Sequence, residues 1–289
     1  MTVVLPRREG VCLCVKGDAL IKFPKLLMQI KPPVKELYSH GEIDETIFDR
    51  CLAVVGSRKM TTYGETLLEK FIPLLVDAGI TIVSGFMYGV DRKAFDLTLE
   101  CGGKTIAVLG WGLGWEKLPE RPGALFLSEY KEAAKPQLWM FPRRNRIVAG
   151  LSTGVWVVEA GVGSGSLITA DFAVRYKRQL FATPGPITSR MSMGTNQLIQ
   201  SGLAKMVLSP SDILSALGWK SKLQDTGVTP VSHNSSSEPI LRLLQVEPLI
   251  ADEIANRLNL SPEELSKQLA MYQLKGLIEE IDGKYCIIN

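Results

Sequence analysis

The feature that most constrains this chain is a recurring unit: a short run of β-branched or apolar residues, a turn of small residues, then a helical pattern. The unit is densest over 141–185, FPRRNRIVAGLSTGVWVVEAGVGSGSLITADFAVRYKRQLFATPG. Two hydrophobic runs, 155–158 and 179–182, each end in a glycine-containing turn. Between them Gly161, Gly163 and Gly165 interleave with Ser164 and Ser166 and lead into a helical pattern over 167–176. Upstream, predicted strands at 52–55, 80–83, 104–109 and 125–127 alternate with helices at 62–77, 91–100 and 143–149. Downstream, a helix at 195–201 precedes a last strand at 205–208. Pro73 inside the first long helix predicts a kink or a break there. Strands alternating with helices predict an α/β fold, a parallel sheet with helices on both faces.

A sheet of this kind binds ligands outside the carboxyl ends of its strands. Those ends read Gly56-Ser57-Arg58, Ser84-Gly85, Gly110, Glu159-Ala160 and Pro184-Gly185, small or polar residues that would line one crevice. The turn Gly163-Ser164-Gly165-Ser166 has the form of a phosphate cradle, because glycines let backbone N–H groups face an anion and a helix N-terminus adds partial positive charge. Arg143, Arg144 and Arg146 stand just upstream, beside Trp139 and Phe141. The net charge is a mild +3, but Lys135, Arg175, Lys177, Arg178 and Arg190 join those arginines to concentrate a basic excess around the turn. A phosphate cradle flanked by arginine and aromatic side chains suits a polymer better than a small molecule.

The remaining composition excludes classes. No apolar run approaches the roughly 20 residues that span a bilayer, so no membrane partner is expected. The five cysteines are scattered without a Cys-x-x-Cys pair, and neither His40 nor His233 has a ligand at zinc spacing, so no structural metal is expected. The opening residues lack the charged-then-apolar order of an export signal, and a reduced, cytoplasmic protein is predicted. Residues 1–50 read as an extension packed on a main domain over 51–217. A Gly-, Pro- and Ser-containing stretch over 218–237 reads as a linker. Beyond it, helices at 239–246, 251–258 and 262–274 precede a small hairpin, 277–280 with 285–288, around Asp282-Gly283: the winged-helix order.

Several motifs together resemble one family. They are AVVGSR at 53–58, IVSGFMYGVD at 82–91, LSEY at 127–130, FPRRNRIVAGLS at 141–152, VVEAGVGSGSLITA at 157–170, ATPG at 182–185 and GTNQLIQSG at 194–202. The chain resembles the DNA-processing protein A family (DprA, also called Smf) from about Pro24 to its end. The resemblance implies an extended Rossmann-like domain that dimerises and binds single-stranded DNA without sequence preference. It also implies contact with RecA, which the family loads onto incoming DNA that it protects during natural transformation. No cofactor is implied. The candidate DNA-binding residues are Gly56, Ser57, Arg58, Ser84, Gly85, Phe141, Arg143, Arg144, Asn145, Arg146, Gly163, Ser164, Gly165, Ser166 and Thr169. The chain departs from the family pattern at Phe86-Met87, where a Leu-Ala pair is usual, at Phe95, where a His is usual, and at Gly163, where a Lys is common. The first two add bulk near Ser84-Gly85, and the last removes a cation.

Individual roles follow from position. Arg58, at a strand end, would meet a phosphate, and Phe141 would stack on a base. Of the three arginines near the helix start, residues three apart share a face, which sets Arg143 and Arg146 apart from Arg144. Asn145 would bind or brace the turn, Asp91 would occupy the N-cap of its helix, and Glu159 would organise a loop. Trp111 and Trp115 would pack an irregular segment. The rival class is an enzyme, a nucleotide-binding or nucleotide-hydrolysing member of the lysine-decarboxylase-like Rossmann type. That motif places a catalytic Glu after its glycine turn, and here the corresponding positions are Leu167 and Thr169. The first turn also lacks the G-x-G-x-x-G of nicotinamide enzymes. In the last tail helix, Glu263 and Glu264 would repel phosphate, so protein contact is expected of the winged helix.

Overall fold

The structure, a computed structural model, describes residues 12–14, 20–22, 24–41, 45–219, 239–244, 248–258, 260–274, 277–281 and 283–287. Apart from Gly218 and Trp219, the expected linker lies outside the described residues, as does Asp282 of the expected hairpin turn. The chain divides into two compact units, Met1–Asp225 and Thr226–Asn289.

The first unit begins with β1 (Cys12–Cys14), β2 (Leu20–Lys22), α1 (Lys25–Met28), β3 (Tyr38–His40) and a 3-10 turn at Glu45–Phe48. The regular alternation follows: β4 (Cys51–Val55), α2 (Thr62–Asp77), β5 (Thr81–Ser84), α3 (Val90–Glu100), β6 (Thr105–Leu109) and β7 (Ala124–Ser128). Then come α4 (Met140–Leu151), β8 (Gly154–Val157), α5 (Gly165–Arg175), β9 (Gln179–Ala182), α6 (Met193–Gln200), β10 (Lys205–Met206) and α7 (Pro210–Leu217).

Among the described residues, the ten strands of this unit form one sheet in the order β10-β9-β8-β4-β5-β6-β7-β3-β1-β2. Neighbours from β10 to β7 are parallel, and β3 then pairs antiparallel with β7. The segment before residue 51 thus supplies three edge strands as well as α1, which packs on α4. Strand residues alternate between faces. Ala53, Val55, Val155 and Val157 join α4 and α5 residues such as Ile147 and Ala170 in one core cluster. Leu52, Val54, Ile82 and Trp156 join Leu68, Ile72 and Leu75 of α2 in another.

Pro73 does not break α2, which runs through it as one element. Its neighbours Ile72 and Leu75 are fully buried. Burial of side chains that size, roughly 1.5–3 kcal/mol each, offsets the roughly 3 kcal/mol an interior proline costs. Phe86 and Phe95, the two aromatic departures from the family pattern, prove to be one packing unit. Their rings meet edge-on at 4.8 Å, and both touch Phe126. Phe86 holds a left-handed backbone (φ 57°) with the Arg92 guanidinium 3.7 Å from its ring centroid.

Chain order places the ligand crevice. After β4 the chain steps outward through β5, β6 and β7, then α4 carries it back to β8, beside β4 on the other side. The crevice opens where that direction reverses, at the carboxyl ends of β4 and β8.

The second unit contains α8 (Pro239–Leu244), α9 (Ala251–Leu258), α10 (Pro262–Leu274), β11 (Ile278–Ile281) and β12 (Lys284–Ile287). β11 and β12 pair antiparallel. Ile240, Leu244, Ile254, Leu265, Leu269, Tyr272 and Ile278 form a core of the unit's own.

Candidate nucleic-acid interface

At that reversal lies a cleft of about 500 Å³. One wall is the turn after β4, the opposite wall the turn after β8 with the start of α5, and the third the first turns of α4. Twelve of the sequence-predicted residues line it: Gly56, Ser57, Arg58, Gly85, Phe141, Arg144, Asn145, Gly163, Ser164, Gly165, Ser166 and Thr169. Ser84, Arg143 and Arg146 do not.

Each wall is held by identifiable contacts. Gly163 has φ 77°, a backbone that strains any L side chain. α5 begins at Gly165, earlier than the periodicity predicts. Its N-cap is Ser164, whose hydroxyl accepts from Ser166 N–H at 3.4 Å. No acidic side chain occupies the first turn of α5, so its positive end is left unneutralised beside the cleft. Asn145 braces this wall: its Nδ2 donates to Gly165 O at 3.1 Å, and its Oδ1 accepts from Arg144 Nε at 3.1 Å.

Arg144 is buried, and its Nη1 donates to Gly85 O at 2.5 Å and to Val108 O. It therefore pins the ends of β5 and β6 to α4 while carrying positive charge to the cleft floor. Burial pulls its pKa down to about 10, against the pull of the Asp91 carboxylate. Gly85 must be glycine here, because a Cβ would stand 2.5 Å from Arg144 Nη2 and 2.7 Å from Asp91 Oδ2.

Asp91 does not cap α3. The N-cap is Gly89, and Asp91 sits in the first turn with its carboxylate accepting from Gly85 N–H at 2.9 Å. The reason is competition: the Gly85 amide at the end of β5 also needs an acceptor away from water. Burial raises the Asp91 pKa to about 6, opposed by Arg144, the Gly85 and Gly56 amides, and Arg58. Ser57 is fixed by accepting from Lys59 N–H (3.0 Å) and donating to Met191 Sδ (3.4 Å). Arg58 itself is exposed, its guanidinium 5.6 Å from the Phe141 ring centroid.

The arginines of α4 divide as their spacing predicts. Arg143 and Arg146 turn to one carboxylate, Glu129 at the end of β7, at 3.5 Å and 2.5 Å. Arg146 is buried in that pair, whereas the Arg143 side chain is half exposed. Ser84 is also buried, its hydroxyl accepting from Phe86 N–H at 3.3 Å. Glu159 accepts from Thr61 N–H (3.0 Å) and Thr61 Oγ1 (2.5 Å), organising the loop before α2. Trp111 is buried, and Trp115 is partly exposed with Lys135 Nζ 5.4 Å from its ring.

Sequence reasoning missed Asp91, Met87 and Leu138 as lining residues and Glu129 as the partner of two arginines. Glu129 carried a readable signal, since it is the acidic residue that directly follows β7. Leu138 carried none.

In the second unit, Ser261 and Glu264 exchange hydrogen bonds at the start of α10: Ser261 N–H donates to Glu264 Oε2 (3.2 Å) and Glu264 N–H to Ser261 Oγ (3.3 Å). Lys267 is taken up by Glu263 at 2.8 Å.

Comparison with known proteins identifies the fold and the family. The family profile of DNA recombination-mediator protein A matches residues 17–218, and that of the DprA winged helix domain matches residues 225–284. Protein Smf of Escherichia coli (strain K12) is 36% identical over 290 residues, covering 94% of this chain and 76% of that protein. DNA processing protein DprA of Streptococcus pneumoniae is 41% identical over 201 residues, covering 67% of this chain and 70% of that one. The X-ray structure of the S. pneumoniae protein superposes with a TM-score of 0.62 at 38% identity, over 72% of this chain and 74% of that one. A structure of DNA processing protein A from Helicobacter pylori, described for its unique single-stranded DNA binding mode, gives 0.61 at 29% identity, over 71% and 95%. With profiles matching across both compact units, the chain belongs to the DNA recombination-mediator protein A family and carries that family's winged-helix domain at its C-terminal end.

Proposed function

We propose that this protein binds single-stranded DNA in the cleft between β4 and β8, without sequence preference and without catalysis. One observation carries the reading: Arg58, the Phe141 ring and the positive end of α5, which has no acidic side chain in its first turn, border the same cleft. A backbone phosphate sits between the Arg58 guanidinium and the amides of Gly163–Ser166, with Arg144 adding charge from below. The adjoining base stacks on Phe141, a contact of roughly 1–3 kcal/mol that ignores base identity. The H. pylori relative binds single-stranded DNA, which supports the same ligand class here.

The wider role in this reading is that of a recombination mediator. The protein forms homodimers, which set two clefts side by side and raise avidity through effective concentration. It shields incoming single strands in the cytoplasm and hands them to RecA during transformation. The winged helix contacts protein rather than duplex DNA, because α10 opens with Glu263 and Glu264 and its Lys267 is already paired.

A nucleotide hydrolase would need a carboxylate free to act in the cleft. Asp91 is committed to Gly85 N–H beside Arg144, and Glu159 to Thr61. Fluorescence-anisotropy titration of single-stranded and duplex oligonucleotides across a salt series tests the reading. It expects tight single-strand binding that falls with salt at a slope near −0.7 per phosphate neutralised. Equal affinity for duplex, or a flat salt dependence, would sink it, and release of free base from nucleoside monophosphates would install the hydrolase instead.

A further inference from the structure

Trp139 has no part in the site above. It is the N-cap residue of α4, and the residue is 54% exposed. Yet the ring is held: Tyr130 meets it edge-on at 5.9 Å and 81°, and the Arg143 guanidinium stands 5.8 Å from its centroid. Arg143 is steered in turn by Glu129, which the buried Arg146 fixes. A buried ion pair thus positions an exposed cation beside an exposed aromatic face.

This pair adjoins the cleft. Leu138 and Phe141, on either side of Trp139 in sequence, both line it. Trp139 caps α4; within the helix Phe141 and Asn145 share the cleft-lining face, while Arg143 and Arg146 share the next. A strand leaving the cleft past Leu138 reaches Trp139 and Arg143 directly. An aromatic face with a guanidinium beside it suits one chemistry, an unpaired nucleobase with its phosphate. Bases inside a duplex stack on each other and cannot use it.

We propose that Trp139 and Arg143 form a second nucleotide subsite. The base of the nucleotide next to the one in the cleft stacks on the Trp139 indole, and Arg143 neutralises its phosphate. The subsite extends the single-strand reading given above and rests on it. It also supplies a selectivity that phosphate contacts lack, because only an unpaired base can occupy it.

The test compares full-length wild type, Trp139→Ala, Trp139→Phe and Arg58→Ala by anisotropy. The ligands are oligothymidylate and a strand of equal length whose nucleotides are abasic. Trp139→Ala is expected to bind oligothymidylate roughly tenfold more weakly, and Trp139→Phe to stay within about threefold of wild type. On the abasic strand, Trp139→Ala should cost nothing further. An equal loss on both strands, or no loss on either, overturns the subsite, and the second result leaves the indole to a protein partner. If Arg58→Ala weakens both strands while Trp139→Ala weakens neither, the cleft stands and the subsite falls. Wild type that binds neither strand takes both down.

Discussion

Two helix N-termini in this protein start from the same residue type and end in opposite states. α10 opens with Ser261 and satisfies itself: Ser261 and Glu264 exchange hydrogen bonds, and two carboxylates lie in the first turn. α5 opens with Ser164, whose hydroxyl accepts from Ser166 N–H, but it carries no acid in its first turn. A reciprocal serine–glutamate cap uses up donors and cancels the partial charge of the dipole. The α5 end gives one donor to the Ser164 hydroxyl but keeps the partial charge, with no carboxylate of its own to neutralise it. The serine at the cap therefore says little about ligand binding. What distinguishes the two ends is whether the chain supplies its own anion.

The sharpest way to break that contrast is to give α5 its own anion. Gly165 has open space where a Cβ would stand and no positive φ, so Gly165→Glu fits without strain. Its carboxylate would occupy the phosphate position. Single-strand affinity should fall on the order of a hundredfold, while the thermal midpoint holds or rises slightly. Gly165→Ala, which adds bulk without charge, should bind nearly as wild type in the same anisotropy assay; if it fails equally, sterics rather than charge governs this wall. Arg58→Ala ranks next, with a loss of roughly tenfold and a salt slope shallower by about 0.7, as expected for one phosphate contact removed. A tenfold loss with an unchanged slope would make Arg58 a stacking partner of Phe141 instead.

Much of this contrast was legible in the sequence, and the parts that were not share a cause. The strand–turn–helix rhythm gave nearly every element of the parallel sheet, because buried strands and glycine turns are local signals. β1 and β3 were harder: each is three residues long, and what makes them strands is pairing at the sheet edge far along the chain. α7, absent from the prediction, is also short, at eight residues. In the site, residue types and spacing placed the cleft, and the periodicity of α4 separated Arg144 from Arg143 and Arg146. The destinations of those arginines were not readable. Glu129 and the carbonyls of Gly85 and Val108 lie 14 or more positions away in sequence and become neighbours only through the fold. Asp91 misled for the same reason, since a local cap and a distant amide competed for one carboxylate.

Asp91 also gives the cleft a property that α10 lacks, a response to pH near neutrality. Its pKa, raised to about 6 by burial, means that the carboxylate takes up a proton over an interval of about one pH unit either side of that value. The groups that face it, Arg144, Arg58 and the Gly85 and Gly56 amides, then act on an approaching phosphate without a competing negative charge. Single-strand affinity should rise several-fold over that interval, and Asp91→Asn should flatten the profile. The sign for folding is the same. A carboxyl whose folded pKa lies above its unfolded value adds stability that is complete below the unfolded value and lost as pH rises through about 6. A profile in Asp91→Asn as steep as in wild type would assign the titration to the DNA or to another group.

The smallest effect is expected at α10, and it tests the other half of the contrast. Ser261→Ala removes the hydroxyl that accepts from Glu264 N–H and leaves the Glu264 carboxylate with one donor fewer. The second unit should melt a few degrees lower, with single-strand affinity unchanged. The contribution of Glu264 has a pH window of its own. Its hydrogen bonds to Ser261 hold its pKa below the ordinary value, so the stabilisation is present at neutral pH and lost as pH falls through that lowered value. A self-capped end that loses its serine has nothing to bind and can only fray. Should Ser261→Ala instead change affinity for single strands, the α10 end would be part of the DNA site after all, and the division between an unneutralised, binding end and a self-neutralised, structural one would fail.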